Sequence, residues 1–239
     1  MKFSLHDKTA VVTGGGSGIG RAICLALAAQ GAKVAVVDLD LGRATEVKDL
    51  VLAAGGIASA YACDVRRQVE VAATVARIAK SHASIDILIN NAGVAHVGSL
   101  EQTTEADLDR LYAVNVKGVY NCAFACLEYL KVQGGVVLNL ASIASSVGLE
   151  NRFAYSMSKG AVLTMTYSIA RDYLKDGIRC NCISPARVHT PFVDNFIAKN
   201  FPGQEAEAFA RLSKTQPIGR MAQPEEIANL AVYLCSDEA

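Results

Sequence analysis

Short runs that are apolar at nearly every position recur along the chain, at residues 9–13, 33–38, 57–62, 85–90, 136–141 and 178–184. Runs of this length without polar alternation fit β-strands buried on both faces. Between them, at 18–30, 41–54, 66–81, 104–132 and 155–175, apolar residues fall three and four apart, as on one face of a helix. Thr104-Glu105-Ala106-Asp107 resembles a capping box with Asp in place of Glu or Gln. Pro224, followed by Glu225 and Glu226, marks the start of a last helix. Strand–helix alternation predicts an α/β fold, a doubly wound parallel sheet with helices on both faces. No linker, charge run or low-complexity tract divides the sequence, so residues 1–239 read as one domain.

Composition narrows the partners. Lys+Arg and Asp+Glu both number 23, so the basic excess that nucleic acid or an anionic membrane would require is missing. Charge interrupts the N-terminus before a signal-type apolar core forms, and no apolar stretch approaches the roughly 20 residues of a membrane span. The expectation is a soluble, cytoplasmic protein that takes a small-molecule substrate. Cys24, Cys63, Cys122, Cys126, Cys180, Cys182 and Cys235 lack zinc-ligand spacing and read as buried free thiols in a reducing compartment. No metal site is suggested.

The first strand runs into Thr13-Gly14-Gly15-Gly16-Ser17-Gly18-Ile19-Gly20, and a helix follows. Gly14, Gly18 and Gly20 allow a tight turn and close approach of a pyrophosphate, which the N–H groups of the helix start then hold. Asp38 ends the second strand. A carboxylate there accepts the ribose hydroxyls of adenosine and repels a 2′-phosphate. Leu39 follows it and Gly15 puts no basic side chain in the loop, which favours NAD(H) over NADP(H).

Tyr155 and Lys159 stand four apart on a predicted helix and so share a face. A phenol, with a pKa of about 10, is a poor acid or base near neutrality. A neighbouring ammonium lowers that pKa and lets the tyrosine exchange a proton with a substrate hydroxyl. Paired with a glycine-rich nucleotide loop, this spacing points to nicotinamide-dependent alcohol chemistry.

With these motifs in place, the chain resembles the short-chain dehydrogenase/reductase family over nearly its whole length. The Thr13–Gly20 loop matches the family's glycine motif, and Asp64-Val65 matches the pair that contacts adenine. Asn90-Asn91-Ala92-Gly93 matches the segment that shapes the cofactor channel, with Asn91, Ala92 and Gly93 against the cofactor. Asn115, Ser142, Tyr155 and Lys159 match the catalytic tetrad, and Pro185, Val188 and Thr190 lie where the family meets nicotinamide. The resemblance implies that Tyr155 is the general acid/base. It implies that Lys159 lowers the Tyr155 pKa and holds the nicotinamide ribose. Ser142 would bind the substrate oxygen, and Asn115 would hold a water leading from Lys159 to solvent. It also implies a homo-oligomer, dimer or tetramer, joined through the 104–132 and 155–175 helices. Two departures stand out. Pro185-Ala186 replaces the family's usual Pro-Gly. The sequence given also stops just after its last helix, where members continue into a final strand, so a sheet lacking that strand is expected.

Substrate choice rests on the loop after strand five and on about residues 191–215, read as a helical lid. Arg152, three residues before Tyr155, is placed to clamp a carboxylate. His96 is a second candidate on the pocket wall, and Arg187 and His189 either meet a polar substrate or face solvent. The 151–155 and 178–183 segments resemble members that act on small hydroxy acids and sugar-derived acids, the type 2 hydroxybutyrate and 2-keto-3-deoxy-L-fuconate dehydrogenases. The expected activity is oxidation of a small polar secondary alcohol, a sugar acid or hydroxy acid. An acyl-carrier-protein reductase, a neutral sugar or alcohol dehydrogenase and a non-catalytic dinucleotide-binding protein are the alternatives. Asp38 and the balanced charge weigh against the first, and the intact tetrad against the last.

Overall fold

The computed structural model describes residues 2–239. Its strands are β1 (Thr9–Thr13), β2 (Lys33–Asp38), β3 (Ile57–Ala62), β4 (Ile87–Asn90), β5 (Gly135–Leu140) and β6 (Ile178–Ile183). They form one sheet in the order β3-β2-β1-β4-β5-β6. Every pairing is parallel, with Val12 opposite Val36 on one side and Ile89 on the other. The direction of winding reverses between β1 and β4, which opens a crevice at the carboxyl ends of those strands.

Helices cover both faces, which explains why the strands carry no polar alternation. Ala10, Val12, Val34, Val36, Ile87 and Ile89 face α1 (Gly18–Ala29) and α9 (Pro224–Cys235). The intervening Val11, Ala35, Val37 and Leu88 face α3 (Gln68–His82) and α5 (Gly118–Leu130). Each fully buried Leu, Ile or Val contributes about 1.5–3 kcal/mol. Also present are α2 (Leu41–Ala53), α4 (Glu105–Leu111), α6 (Phe153–Asp172), α7 (Pro191–Asn200) and α8 (Glu205–Lys214). Among the described residues no helix is long and apolar enough to cross a membrane.

The expected capping box is formed. Thr104 Oγ1 accepts from the Asp107 N–H at 3.2 Å, and Asp107 Oδ2 accepts from the Thr104 N–H at 3.4 Å. Pro224 sits in the first turn of α9, whose own box joins Gln223 and Glu226.

The expected 104–132 helix is not continuous. A wider π-helical turn, Tyr112–Lys117, separates α4 from α5, and the Gly118 N–H reaches back to the Ala113 carbonyl. Gly118 is needed at this crossing, because a β-carbon there would lie 2.8 Å from Val65 Cγ2. Strand β4 begins at Ile87 rather than at residue 85, since the buried Asp86 carboxylate takes the Thr9 N–H at 2.8 Å. Helix α6 starts two residues before Tyr155 and ends at Asp172, followed by a 3₁₀ turn, Leu174–Asp176. The 191–215 segment is two helices, α7 and α8, rather than one lid element.

Candidate active site

The glycine loop lies at the β1/β4 crevice and is tied to both neighbours. Asn91 Nδ2 donates to the Thr13 and Gly14 carbonyls, both at 3.0 Å. Thr13 Oγ1 accepts from the Asn91 and Ala92 N–H groups, both at 3.1 Å. The Asn91 amide is therefore a brace for the loop, while Asn90 turns into the core onto Asn139 Oδ1 at 2.9 Å. Gly14 has φ 61°, a left-handed conformation. A β-carbon on Gly20 would collide with the Gly14 carbonyl and the Asn91 amide. Ser17 precedes α1 without capping it, and the first turn holds no acid. The N–H groups of Gly18, Ile19 and Gly20 thus form a positive, uncapped helix start suited to a pyrophosphate.

Asp38 Oδ2 accepts from the Gly16 N–H at 3.0 Å, and Oδ1 from the Asp40 N–H at 3.1 Å. These bonds fix the carboxylate beside the loop with lone pairs to spare. Leu39 projects into solvent at 69% exposure. Val65 is buried against α5 and its carbonyl accepts from Asn121 at 2.8 Å. Asp64 is committed to Arg66 at 2.6–2.9 Å, and that bond holds its carboxyl below the usual range. On the far wall, Thr190 lies 3.4 Å from a β-carbon placed on Gly18, Val188 bridges to Ala222, and the Pro185 carbonyl accepts from the Ile143 N–H at 3.0 Å. The cradle fits a nicotinamide dinucleotide: glycines where side chains would collide, an uncapped helix start and a fixed carboxylate.

The four tetrad positions converge at the other end of this crevice. Ser142 ends β5's extension, and its Oγ accepts from the Ala144 N–H at 3.2 Å. Lys159 is 6% exposed, and its Nζ donates to the Leu140 carbonyl at 2.5 Å. Burial lowers its pKa to about 8. Asn115, in the π turn, accepts from the Val94 N–H at 2.8 Å and donates to the Val94 carbonyl at 2.9 Å and to Ser158 Oγ at 3.0 Å. Ser158, unmarked by any sequence pattern, passes that bond on to the Tyr155 carbonyl at 2.8 Å. A β-carbon on Gly93 would lie 3.3 Å from Asn115 Oδ1 and 3.6 Å from Lys159 Nζ, so Gly93 borders both.

The phenol of Tyr155 is pushed up from its ordinary value, not down. Burial is the largest cause; the Ser142 hydrogen bond and the Arg152 charge oppose it. Lys159 Nζ donates to the Leu140 carbonyl and lies 6.0 Å from the Tyr155 ring centre.

Arg152 is half-buried at the start of α6, and a bridge to Gly98 holds its backbone. Its Nη1 donates to the Asn151 carbonyl at 3.0 Å. Burial lowers its pKa, and the Arg187 charge lowers it further. His96 lies against Gly98, the bridge partner of Arg152; its Nε2 is 3.5 Å from Asp107 Oδ2 of α4, and its Nδ1 is buried without a partner. His189 pairs with Asp194 at 2.9 Å and packs edge-on against Phe209, with ring centres 5.0 Å apart.

A family model described as "Enoyl-(Acyl carrier protein) reductase" matches residues 14–239. The 2-(S)-hydroxypropyl-CoM dehydrogenase 3 of Xanthobacter autotrophicus is 35% identical over 240 residues, covering 100% of this chain and 93% of its own. The 2-keto-3-deoxy-L-fuconate dehydrogenase of Xanthomonas campestris is 35% identical over 237 residues, covering 98% of this chain and 76% of its own. The crystal structure of levodione reductase superposes with a TM-score of 0.93 at 32% identity, covering 98% of this chain and 92% of that one.

Proposed function

This chain belongs to the short-chain dehydrogenase/reductase family, and from that premise we propose that it is an NAD-dependent dehydrogenase of a small polar acid. The substrate is a hydroxy acid or a sugar acid of the 2-keto-3-deoxy-fuconate type, interconverted between secondary alcohol and ketone. The reading rests on one observation: Tyr155 and Lys159 lie one turn apart on α6, with Lys159 Nζ 6.0 Å from the Tyr155 ring centre and Asn115 tied through Ser158 to the Tyr155 carbonyl.

A bound nicotinamide dinucleotide supplies the hydride acceptor or donor. Ser142 holds the substrate oxygen and stabilises charge developing on it. Tyr155 takes the hydroxyl proton in oxidation and returns it in reduction. A phenol pushed up by burial is held protonated, poised to donate. Asp38 supports NAD over NADP, and Arg43 is drawn to Asp40 at 3.4 Å. The balanced charge and Asp38 count against an acyl-carrier-protein reductase, which needs a basic docking face and usually NADPH.

We place the chain as one catalytic domain with residues 191–215 over the substrate end. Tyr112, Tyr120, Phe124 and Tyr167, exposed on the α4–α6 surface, support a homo-oligomer. The free cysteines support a reducing, cytoplasmic setting. Tyr155→Phe tests the chemistry. Turnover should fall at least ~100-fold while NADH binding, followed by its fluorescence, stays nearly intact. Retained turnover would refute the assignment.

A further inference from the structure

We propose that Asn151 is a positioning residue for Tyr155: a left-handed turn at Asn151 lets the loop after β4 grip the start of α6, and so fixes where the phenol stands. The inference rests on the dehydrogenase reading above and deepens it.

Helix α6 begins at Phe153, so Tyr155 lies in its first turn, and helix ends fray unless they are held. This end lacks the ordinary devices. Arg152, at the cap position, makes no side-chain bond to the helix, and the first turn holds no acid. The backbone is held from outside instead. The Phe153 N–H donates to the Gly98 carbonyl at 3.2 Å, and the Gly98 N–H donates to the Asn151 carbonyl at 2.9 Å. One residue of the loop thus clasps the chain on both sides of Arg152.

The clasp needs the backbone to turn at Asn151. Its φ is 55°, in the left-handed region where a β-carbon crowds the following carbonyl. Asparagine tolerates that region better than most side chains, and glycine is free in it. Among the described residues Phe3, Asp7 and Ala83 are the other non-glycines with positive φ. The first two precede β1 and Ala83 closes α3, so Asn151 is the one that stands beside the reacting groups. Asn151 is exposed, so what it contributes is its backbone conformation rather than core packing.

The loop that holds α6 is itself fixed. A β-carbon on Gly98 would lie 2.6 Å from His96 Cε1 and 3.3 Å from Gln102 Cβ, and Gln102 Oε1 accepts from the Ser99 N–H at 3.0 Å. At the other end of the loop, Val94 exchanges two bonds with Asn115, which reaches Ser158 and through it the Tyr155 carbonyl. Residues 94–98 therefore hold the first turn of α6 at two points, the Phe153 N–H and the Tyr155 carbonyl, and these bracket the tyrosine. Releasing the Gly98 end leaves Tyr155 anchored on one side only. A reacting group displaced by about 1 Å loses up to ~100-fold in rate.

The test compares wild type with Asn151→Val, Asn151→Ala and Asn151→Gly. A β-branched residue is least able to hold a left-handed φ, whereas glycine holds it freely. Each protein is made with 3-fluorotyrosine. Of the 8 tyrosines, Tyr155 is the one whose fluorine resonance Tyr155→Phe removes. In Asn151→Val that resonance should move, and deuterium exchange at the Gly98 and Phe153 amides should quicken at least ~10-fold; Asn151→Gly should restore both. With 3-hydroxybutyrate or galactonate and NAD+, Asn151→Val should lower kcat by about 10- to 100-fold while KM and NADH affinity stay within ~3-fold, and Asn151→Gly should recover kcat. If Asn151→Val does not fold, Asn151→Ala gives the same comparison at smaller amplitude. A lower melting temperature with the Tyr155 resonance and kcat as in wild type overturns the proposal and leaves Asn151 a structural residue only. Failure of Asn151→Gly to rescue also overturns it, because the side chain and not the turn would then matter. Undiminished turnover in Tyr155→Phe, or a wild type that turns over neither acid, counts against the dehydrogenase reading instead. The fluorine and exchange readouts need no turnover and decide the clasp in either case.

Discussion

Burial of Lys159 has a measurable consequence for stability. Its ammonium is displaced from an ordinary pKa of 10.5 to about 8, and desolvation is the cause. At about 1.4 kcal/mol per unit, the charged form costs the fold on the order of 3 kcal/mol. The unfolded chain binds the proton more tightly, so between the two pKa values it carries more protons than the native state. Stability must then rise with pH across that window, and the lysine's penalty is fully present below about pH 8. Lys159→Met removes the titration while keeping an unbranched chain of similar length. The variant also loses the bond to the Leu140 carbonyl, worth roughly 1–3 kcal/mol, so its absolute stability at one pH decides little. The difference between the two proteins as pH changes isolates the lysine, because their shared titrations cancel. Urea unfolding of both, without cofactor and at matched protein concentration, should show the wild type gaining about 2 kcal/mol on the variant from pH 7 to 9.5. Parallel pH dependences would refute the reasoning, and would mean that water reaches Lys159 Nζ in solution.

Two further outcomes follow from the cofactor cradle. Gly20→Ala should abolish NADH binding in a fluorescence titration and cost about 1–3 kcal/mol of stability, since the Gly14 carbonyl is backbone that cannot yield. Asp38→Ala should cut the preference for NAD+ over NADP+ by about 10- to 100-fold, read as the ratio of kcat/KM; an unchanged ratio would assign the discrimination to another group.

Much of the fold could be read because strands buried on both faces leave an unmistakable pattern. Val11 and Val12 point to opposite sides of β1, and both meet apolar helices. The glycine loop and the Tyr155–Lys159 spacing were legible because backbone collision and helical periodicity are local. The π turn was not. The apolar spacing of 104–132 continues through it, and the backbone bond from the Gly118 N–H to the Ala113 carbonyl is what distinguishes it from an ordinary helix. The direction of the Tyr155 shift was hidden for a similar reason. Sequence spacing puts an ammonium beside a phenol but says nothing of what desolvates the phenol or where Nζ is anchored.

These observations join the substrate arm to the proton donor. Arg152 is a charge that opposes burial at Tyr155, and it is also the candidate for holding an acidic substrate. A protonated phenol is the form that donates to a ketone, and an ionised one is the form that takes the proton in oxidation. Lys159 is the buried cation on the same face of α6, but it keeps its charge only below about pH 8. Its anchor, the Leu140 carbonyl, leaves two further N–H donors, enough to engage a ribose while holding position. Lys159 is therefore a buried cation whose charge depends on pH, while burial holds the Tyr155 phenol above its ordinary value.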